Sequence, residues 1–360
     1  MARKDIFNIL LCILLSACGN KAGDGQRQGD VGDTIPMKYA EHLTMVRYAD
    51  RVEVTLKDPW HEGRVMRTYE HRKPLSRCVV FNTAHASLLQ MLGAADVIKG
   101  VADLKYMNLP EIHRRVGKDI TDCGDSMTPD IEKIVEMKAD AVWLSPFENS
   151  GGYGRLETLG IPLIECADYM ETSALGRAEW MKFYGLLVGK EREADSLFAV
   201  VESRYLKLKR QAQKSKVHRS VLTERLTGGT WYVPGGRSSM GRLLQDAGGR
   251  YPWAKDNHSG SLPLSFETVI DRAGDADVWV FNYIGTRPLD YRLLEAEYHG
   301  YAQLKAFRTR QVYYVNSLKV PYFEEVSFRP DWLLADYVEL CCQDSIMSSK
   351  LRYLTRVKEQ

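Results

Sequence analysis

EWMKFYGLLVGKEREADSLFAVVESRYLKLKR, residues 179–210, is the stretch whose reading decides the fold. Trp180, Tyr184, Leu187, Ala194, Phe198, Val201, Tyr205 and Leu208 recur at alternating spacings of four and three, which puts them on one stripe of an amphipathic helix. Glu191 spoils one position of the stripe directly after Gly189 and Lys190. The pattern therefore predicts a short helix, a break, and an unbroken helix from Glu191 to about Arg210. A helix of about twenty residues is roughly 30 Å long, enough to cross a whole lobe. An ordinary core helix of one large domain has the same local signature, so the flanks decide between the two.

The flanks resemble each other. TPDIEKIVEMKADAVWL, residues 128–144, recurs as LSFETVIDRAGDADVWV, residues 264–280, with Glu132 matching Glu267 and, after one inserted residue, Val142 and Trp143 matching Val278 and Trp279. A helix that opens on a glutamate and leads into a buried strand thus stands on each side of the long helix. The expected fold is α/β: two Rossmann-like α/β lobes joined by one long α-helix.

Other segments fill in these lobes. The apolar run at 78–82 reads as a buried parallel strand followed by a helix over 84–92 that Gly93 ends, and 97–101 reads as a second strand. In the second half, 220–226 and 311–315 read as strands, the glycine-rich 228–236 as a loop or hairpin, and 238–247 and 331–341 as helices. Ahead of the first lobe, HLTMVRYADRVEVTL alternates polar and apolar residues around a turn at Ala49–Asp50, which predicts a β-hairpin extension. The basic segment 61–74 reads as an extended lead into the lobe. The expected organisation is a signal peptide (1–18), a flexible tether (19–36), the hairpin extension (37–74), an N-terminal α/β lobe (75–178), the linking helix region (179–216), a C-terminal α/β lobe (217–345) and a C-terminal tail (346–360).

Length and charge narrow the function. A chain of 360 residues has room for two cores, and a formal net charge of +2 lacks the basic footprint of a general nucleic-acid binder. Arg3 and Lys4 precede an apolar run from Ile6 to Leu15 that is too short to span a bilayer and reads as an export signal. Leu15-Ser16-Ala17-Cys18 then resembles the bacterial lipobox, in which the cysteine is lipidated. The expectation is a protein lipid-anchored in the cell envelope, facing the periplasm, and monomeric. Five further cysteines, at 78, 123, 166, 341 and 342, contain no C-x-x-C pair and are assigned neither metal nor redox work. A Cys123–Cys166 disulfide is conceivable; buried free thiols are the preferred reading.

No H-E-x-x-H, G-x-S-x-G, G-x-x-x-x-G-K-[ST] or G-x-G-x-x-G motif occurs, so the expectation is no enzyme, no catalytic residue and no metal site. What recurs is the loop after a buried strand, where open α/β sheets bind ligands. Those loops carry Thr83, His85, Lys105, Tyr106, Ser145, Phe147, Glu148, Tyr153, Asp168 and Tyr169 in the first half, and Trp231, Tyr232, Tyr283, Arg287 and Tyr322 in the second. The seven Trp and nineteen Tyr exceed what packing alone asks for, which suits a bulky, flat, partly apolar ligand. For His85 a hydrogen-bonded structural role competes with a ligand contact.

The succession F-N-T-A-H-A-S-L-L-x-x-L-G, I-x-G-V-A-D, D-I-E-K-I-V-E-M-K-A-D-A-V, G-I-P-L-I, long helix, G-G and S-F-E-T-V-I resembles the class III periplasmic binding proteins of ABC importers, over about residues 78–344. The form with an initial hairpin, and with A-D-Y-M-E-T-S-A-L-G-R-A-E-W before the helix, resembles a lipoprotein subgroup associated with iron complexes. The resemblance implies capture of a small-molecule metal chelate, a siderophore or haem, between the lobes and delivery to an ABC permease and its ATPase. It implies no cofactor other than iron carried within the ligand. It also implies that Glu132 and Glu267 dock the permease. The alternative is cobalamin on the same scaffold. A chelatase-like enzyme would need a polar constellation for which only His85 and Glu148 offer members, and a surface adhesion or scaffold lipoprotein would lack a concave aromatic site. One departure stands out: Thr83 and Ser87 replace the Pro and Glu often found in that first turn, so ligand contacts there do not carry over.

Overall fold

The computed structural model describes residues 31–148, 152–342 and 351–359. The signal segment, Cys18 and most of the tether lie outside the described residues.

The chain opens with β1 (Asp33–Ile35), β2 (Leu43–Arg47), β3 (Val52–Lys57) and β4 (Val65–His71), a four-stranded antiparallel sheet in that order. The expected hairpin is its middle pair, in register Leu43 to Leu56 and Arg47 to Val52. The segment read as a plain extended lead supplies a further strand, and β1 begins inside the expected tether. Leu43, Met45, Val52, Val54 and Leu56 alternate onto the covered face and are all buried.

The N-terminal lobe is a parallel five-stranded sheet in the order β11-β10-β5-β6-β7. Its elements are β5 (Cys78–Val80), α1 (Thr83–Met91), β6 (Ile98–Val101), α2 (Pro110–Arg115), β7 (Thr121–Asp122), the small hairpin β8 (Gly124–Asp125) and β9 (Thr128–Pro129), α3 (Ile131–Glu136), β10 (Ala141–Leu144) and β11 (Leu163–Glu165). β5, β10 and β11 are buried at every residue, as continuous apolar strands covered on both faces must be.

The decisive stretch then folds as α4 (Ala174–Glu179), α5 (Met181–Leu187) and α6 (Glu191–Gln213). The break falls at Gly189, whose φ of 69° is open to glycine with little strain, and the long helix starts at Glu191 as its pattern predicts. Its stripe of Ala194, Phe198, Val201, Tyr205 and Leu208 is buried, extended by Ala212. One side of α6 packs on α5. On the other, Tyr205 and Lys209 bond Asp246, and Arg204 reaches Asp331 at 3.6 Å, so the helix is tied to both halves.

The C-terminal lobe comprises β12 (Val221–Thr223), β13 (Leu226–Thr227), β14 (Thr230–Pro234), α7 (Ser239–Asp246), β15 (Ser261–Leu264), α8 (Phe266–Ala273), β16 (Val278–Tyr283), α9 (Tyr291–Glu297), α10 (Lys305–Arg308), β17 (Val312–Asn316), α11 (Tyr322–Glu325), α12 (Pro330–Cys342) and β18 (Leu354–Arg356). β12, β16 and β17 run parallel, β18 closes the edge antiparallel, and β13-β14-β15 form a separate antiparallel sheet. The expected C-terminal tail therefore supplies a strand of this lobe. The matched units coincide in detail. Asp130 and Ser265 cap α3 and α8 through their side chains, Glu132 and Glu267 are each the second helical residue, and Trp143 and Trp279 are each fully buried in the strand that follows.

The aromatic surplus is largely structural. Trp143, Trp180, Trp231 and Trp279 are among the largest fully buried side chains, as the helix stripe and the matched strands predict for Trp180, Trp143 and Trp279, and against the expectation that Trp231 meets a ligand. Cys78, Cys123, Cys166, Cys341 and Cys342 are buried free thiols.

Candidate functional site

Asn82 stands where β5 gives way to α1, its Oδ1 accepting the Ala84 N–H at 2.8 Å as the helix cap. Three adjoining cavities open at this residue, beyond the carboxyl ends of the strands. One, of about 440 Å3, lies between the lobes: Asn82, Thr83, Tyr106 and Arg177 face Ser239, Met240, Asn282, Tyr322 and Phe323. A second, of about 290 Å3, is bounded by Ser145, Phe147, Tyr169, His85, Asp168 and Arg177. The third, of about 580 Å3, belongs to the N-terminal lobe, with Phe81, Asp103, Met127, Phe147 and Tyr153 in its wall. These volumes fall in or near the usual range of small-molecule sites.

Several expected residues meet here. Thr83, Tyr106 and Tyr322 line the inter-lobe cavity, Phe147 and Tyr169 the second, and Phe147 and Tyr153 the third. Two of these hydroxyls are already engaged. Tyr153 donates to Glu165 at 3.0 Å and Tyr169 to the Pro146 carbonyl.

Others are elsewhere. Trp231 is fully buried against Trp279 and Tyr301, its indole N–H donating to the Thr223 carbonyl at 2.9 Å, so a ligand has no access to it. Tyr232, on the same strand, points outward by the alternation of the strand. Tyr283 and Arg287 lie together, the phenol donating to the Arg287 carbonyl at 3.2 Å, and neither lines any of these three cavities. Lys105 rests over the Tyr106 ring, and Glu148 is exposed; they too line none of the three. His85 borders the second cavity but is only 2% exposed, and its Nε2 lies 2.8 Å from Asp168. Its Nδ1 has no hydrogen-bond partner among the described residues, so the ring is held on its Nε2 side alone.

The Asp168 cluster is the electrostatic centre of the site. Its Oδ1 meets His85 Nε2 and accepts from the Tyr184 hydroxyl at 2.8 Å, while Oδ2 accepts from Arg177 Nε at 3.2 Å. Burial alone raises a carboxyl pKa, but His85 and Arg177 outweigh it and hold Asp168 below the usual range. Burial likewise pulls His85 down, and its Cys166 and Asp168 neighbours overcome that, leaving the imidazole well above its ordinary value.

Two further carboxylates stand close to the opposite wall without lining the cavity. Glu324 is 2% exposed and crosses the cleft, its Oε1 accepting from Thr83 Oγ1 at 3.0 Å and the Asn108 N–H at 2.7 Å. Glu224 follows β12 with a left-handed φ of 62°, a strained conformation for a non-glycine residue. Burial raises its pKa, against the Asn282 amide that donates to it at 3.3 Å.

Sequence reasoning missed Asn82, Arg177, Asn282 and Glu324. Asn82 and Asn282 each follow a Phe within a buried run, a shared Phe-Asn signature that comparison of the two halves could have found. Nothing local marks Arg177 or Glu324, because their partners are distant in sequence.

Residues 78–317 match a protein family described as periplasmic binding protein. An uncharacterized lipoprotein of Methanocaldococcus jannaschii is 27% identical over 251 residues, 67% of this chain, and the match covers 59% of that relative's length. Among solved structures, a periplasmic binding protein of Veillonella parvula superposes with TM-score 0.63 at 14% identity, covering 82% of this chain and 99% of its own. An Fe3+-hydroxamate transport protein of Saccharomonospora viridis gives 0.61 at 19%, covering 79% and 98%. A periplasmic haem-binding protein of Pseudomonas aeruginosa gives 0.61 at 18%, covering 79% and 99%.

Proposed function

Because the chain belongs to the periplasmic binding protein family, whose members bind small solutes for ABC importers rather than catalyse reactions, we propose that it captures an iron complex, a siderophore or haem, in the cleft between its lobes. The observation that carries this reading is the inter-lobe cavity, to which α1 and α4 contribute from one lobe and α7, α11 and α12 from the other. A ligand there touches both lobes at once, so its binding energy depends on their relative position, which a permease can sense. The single helical connector α6 favours small lobe tilting over a wide clamp.

Delivery follows from the same layout. Glu132 and Glu267, both exposed at equivalent helix starts, are the acidic pair that docks onto the permease. Lipidation at Cys18 holds the protein, as a monomer, at the membrane. The lipoprotein relative supports that anchoring, and no helix of the described residues is long and apolar enough to cross a membrane.

The test is an intrinsic-fluorescence titration of the purified protein with ferric siderophores, haem and cobalamin. Saturable binding of an iron complex is expected; silence with all of them refutes the proposal, and binding of cobalamin alone changes the ligand. Charge reversal at both Glu132 and Glu267 is expected to abolish uptake in cells while leaving soluble binding unchanged. Lost ligand affinity would instead put the pair in the binding site.

A further inference from the structure

Arg177 is the only formally charged residue in the wall of the inter-lobe cavity; the other described residues lining it are aliphatic, aromatic, hydroxyl or amide. It borders the adjoining second cavity as well. Among the described residues its guanidinium makes one hydrogen bond, from Nε to Asp168, which leaves the two terminal nitrogens, with four N–H donors, uncommitted. Asp168 does not neutralise it in full, since the same carboxylate also serves His85 and Tyr184. With the imidazole protonated, the trio of His85, Asp168 and Arg177 carries a net positive charge.

The surroundings add a donor and withhold competing acceptors. Tyr322, from the opposite lobe, lines the same cavity, and its hydroxyl has no hydrogen-bond partner among the described residues. Neither of the two nearby carboxylates lines the cavity: Glu324 accepts from Thr83 and Asn108 through Oε1, and Glu224 from Asn282. A guanidinium fork and a phenol O–H thus line one otherwise uncharged cavity, where charge-assisted hydrogen bonds to an anionic oxygen are the strong ones.

We propose that Arg177, assisted by Tyr322, forms an anion subsite in the inter-lobe cavity, so that the captured chelate bears an anionic oxygen group, a carboxylate foremost, rather than being neutral. This inference rests on the solute-binding reading and sharpens it. Carboxylate-bearing porphyrin chelates and citrate-type chelates share the required chemistry, whereas neutral trihydroxamate complexes and cobalamin, which is neutral overall with a phosphodiester as its one anionic group, have no carboxylate to offer.

The experiment titrates the full-length protein in detergent with four probes: haemin, ferric citrate, a neutral ferric trihydroxamate and cyanocobalamin. Haemin or ferric citrate is expected to bind tightest, and which of them binds identifies the source of the carboxylate. Arg177→Gln is expected to weaken the anionic probe roughly tenfold to a hundredfold, with Arg177→Lys intermediate and Tyr322→Phe losing severalfold. Affinity of the unmodified protein for that probe should fall as salt is raised, a readout that stands even if Arg177→Gln does not fold. Tightest binding of a neutral probe, or an anionic affinity indifferent to salt and to Arg177→Gln, overturns the subsite while leaving solute binding in place. No binding of any probe overturns both.

Discussion

Asp168 and His85 form a buried ion pair whose value depends on pH in a defined direction. His85 is held above its unfolded value, so its contribution is complete below about pH 6.5 and is lost as pH rises through the folded value. Asp168 is held low, so its contribution is present above about pH 4 and is lost as pH falls. Both act fully between those limits. His85→Leu leaves Asp168 buried with one partner fewer and is expected to cost about 3–5 kcal/mol there. Urea unfolding from acid to alkaline pH checks this: the deficit should be largest near pH 5–6 and shrink at high pH, and a flat difference would contradict the assignment. The sequence showed a histidine at a helix start but not its partner, which lies 83 residues away.

At the scale of elements, the N-terminal sheet is bolted to the first lobe by buried carboxylates. Glu179, fully buried, accepts the backbone N–H groups of Lys38, Tyr39 and Ala40. Glu171 accepts those of Glu41 and His42, together with the Trp180 indole N–H, and Glu165 takes the Arg67 fork at 2.9 and 3.0 Å. Glu179→Ala removes the acceptor of three amides at once. The expected outcome is about 3 kcal/mol or more of lost stability, at the usual cost of leaving buried donors unpaired. Limited proteolysis should then cut the turn around residues 58–64 early, while the sheet's own hairpin pattern stays legible in far-ultraviolet spectra. In sequence nothing local marks these glutamates: Glu165 ends a short apolar strand, and Glu171 and Glu179 stand ahead of the helical stripe. Period-two alternation made the middle hairpin legible, whereas the outer strands, paired along mostly exposed edges, carry little such alternation.

At the scale of the whole molecule, the cleft is held by contacts that cross it. Glu324 ties the C-terminal lobe to Thr83 and Asn108, and Phe328 packs edge-on against His85 and Tyr184. Glu324→Ala removes two hydrogen bonds to a charged acceptor and should loosen the contact between the lobes. About tenfold faster release of bound solute is expected, measured by stopped-flow fluorescence, with a small increase in radius of gyration by solution scattering. An unchanged release rate would mean that the crossing bonds do not restrain the lobes.

What the sequence determined by itself was the scaffold: strand runs, helix stripes, the break at Gly189 and the doubled helix-to-strand unit, because periodicity and backbone preference act over a few neighbouring residues. It also located the strand-end loops, and so Thr83, Tyr106, Phe147 and Tyr322. Only the tertiary structure decided which polar groups share the cleft. Trp231 went to the core because its strand face packs on Trp279, and Arg177 came to the cavity wall because α4 turns it toward a lobe that begins some forty residues later. Burial and long-range pairing are properties of the assembled chain, set by which faces remain once every apolar stripe has found its partner.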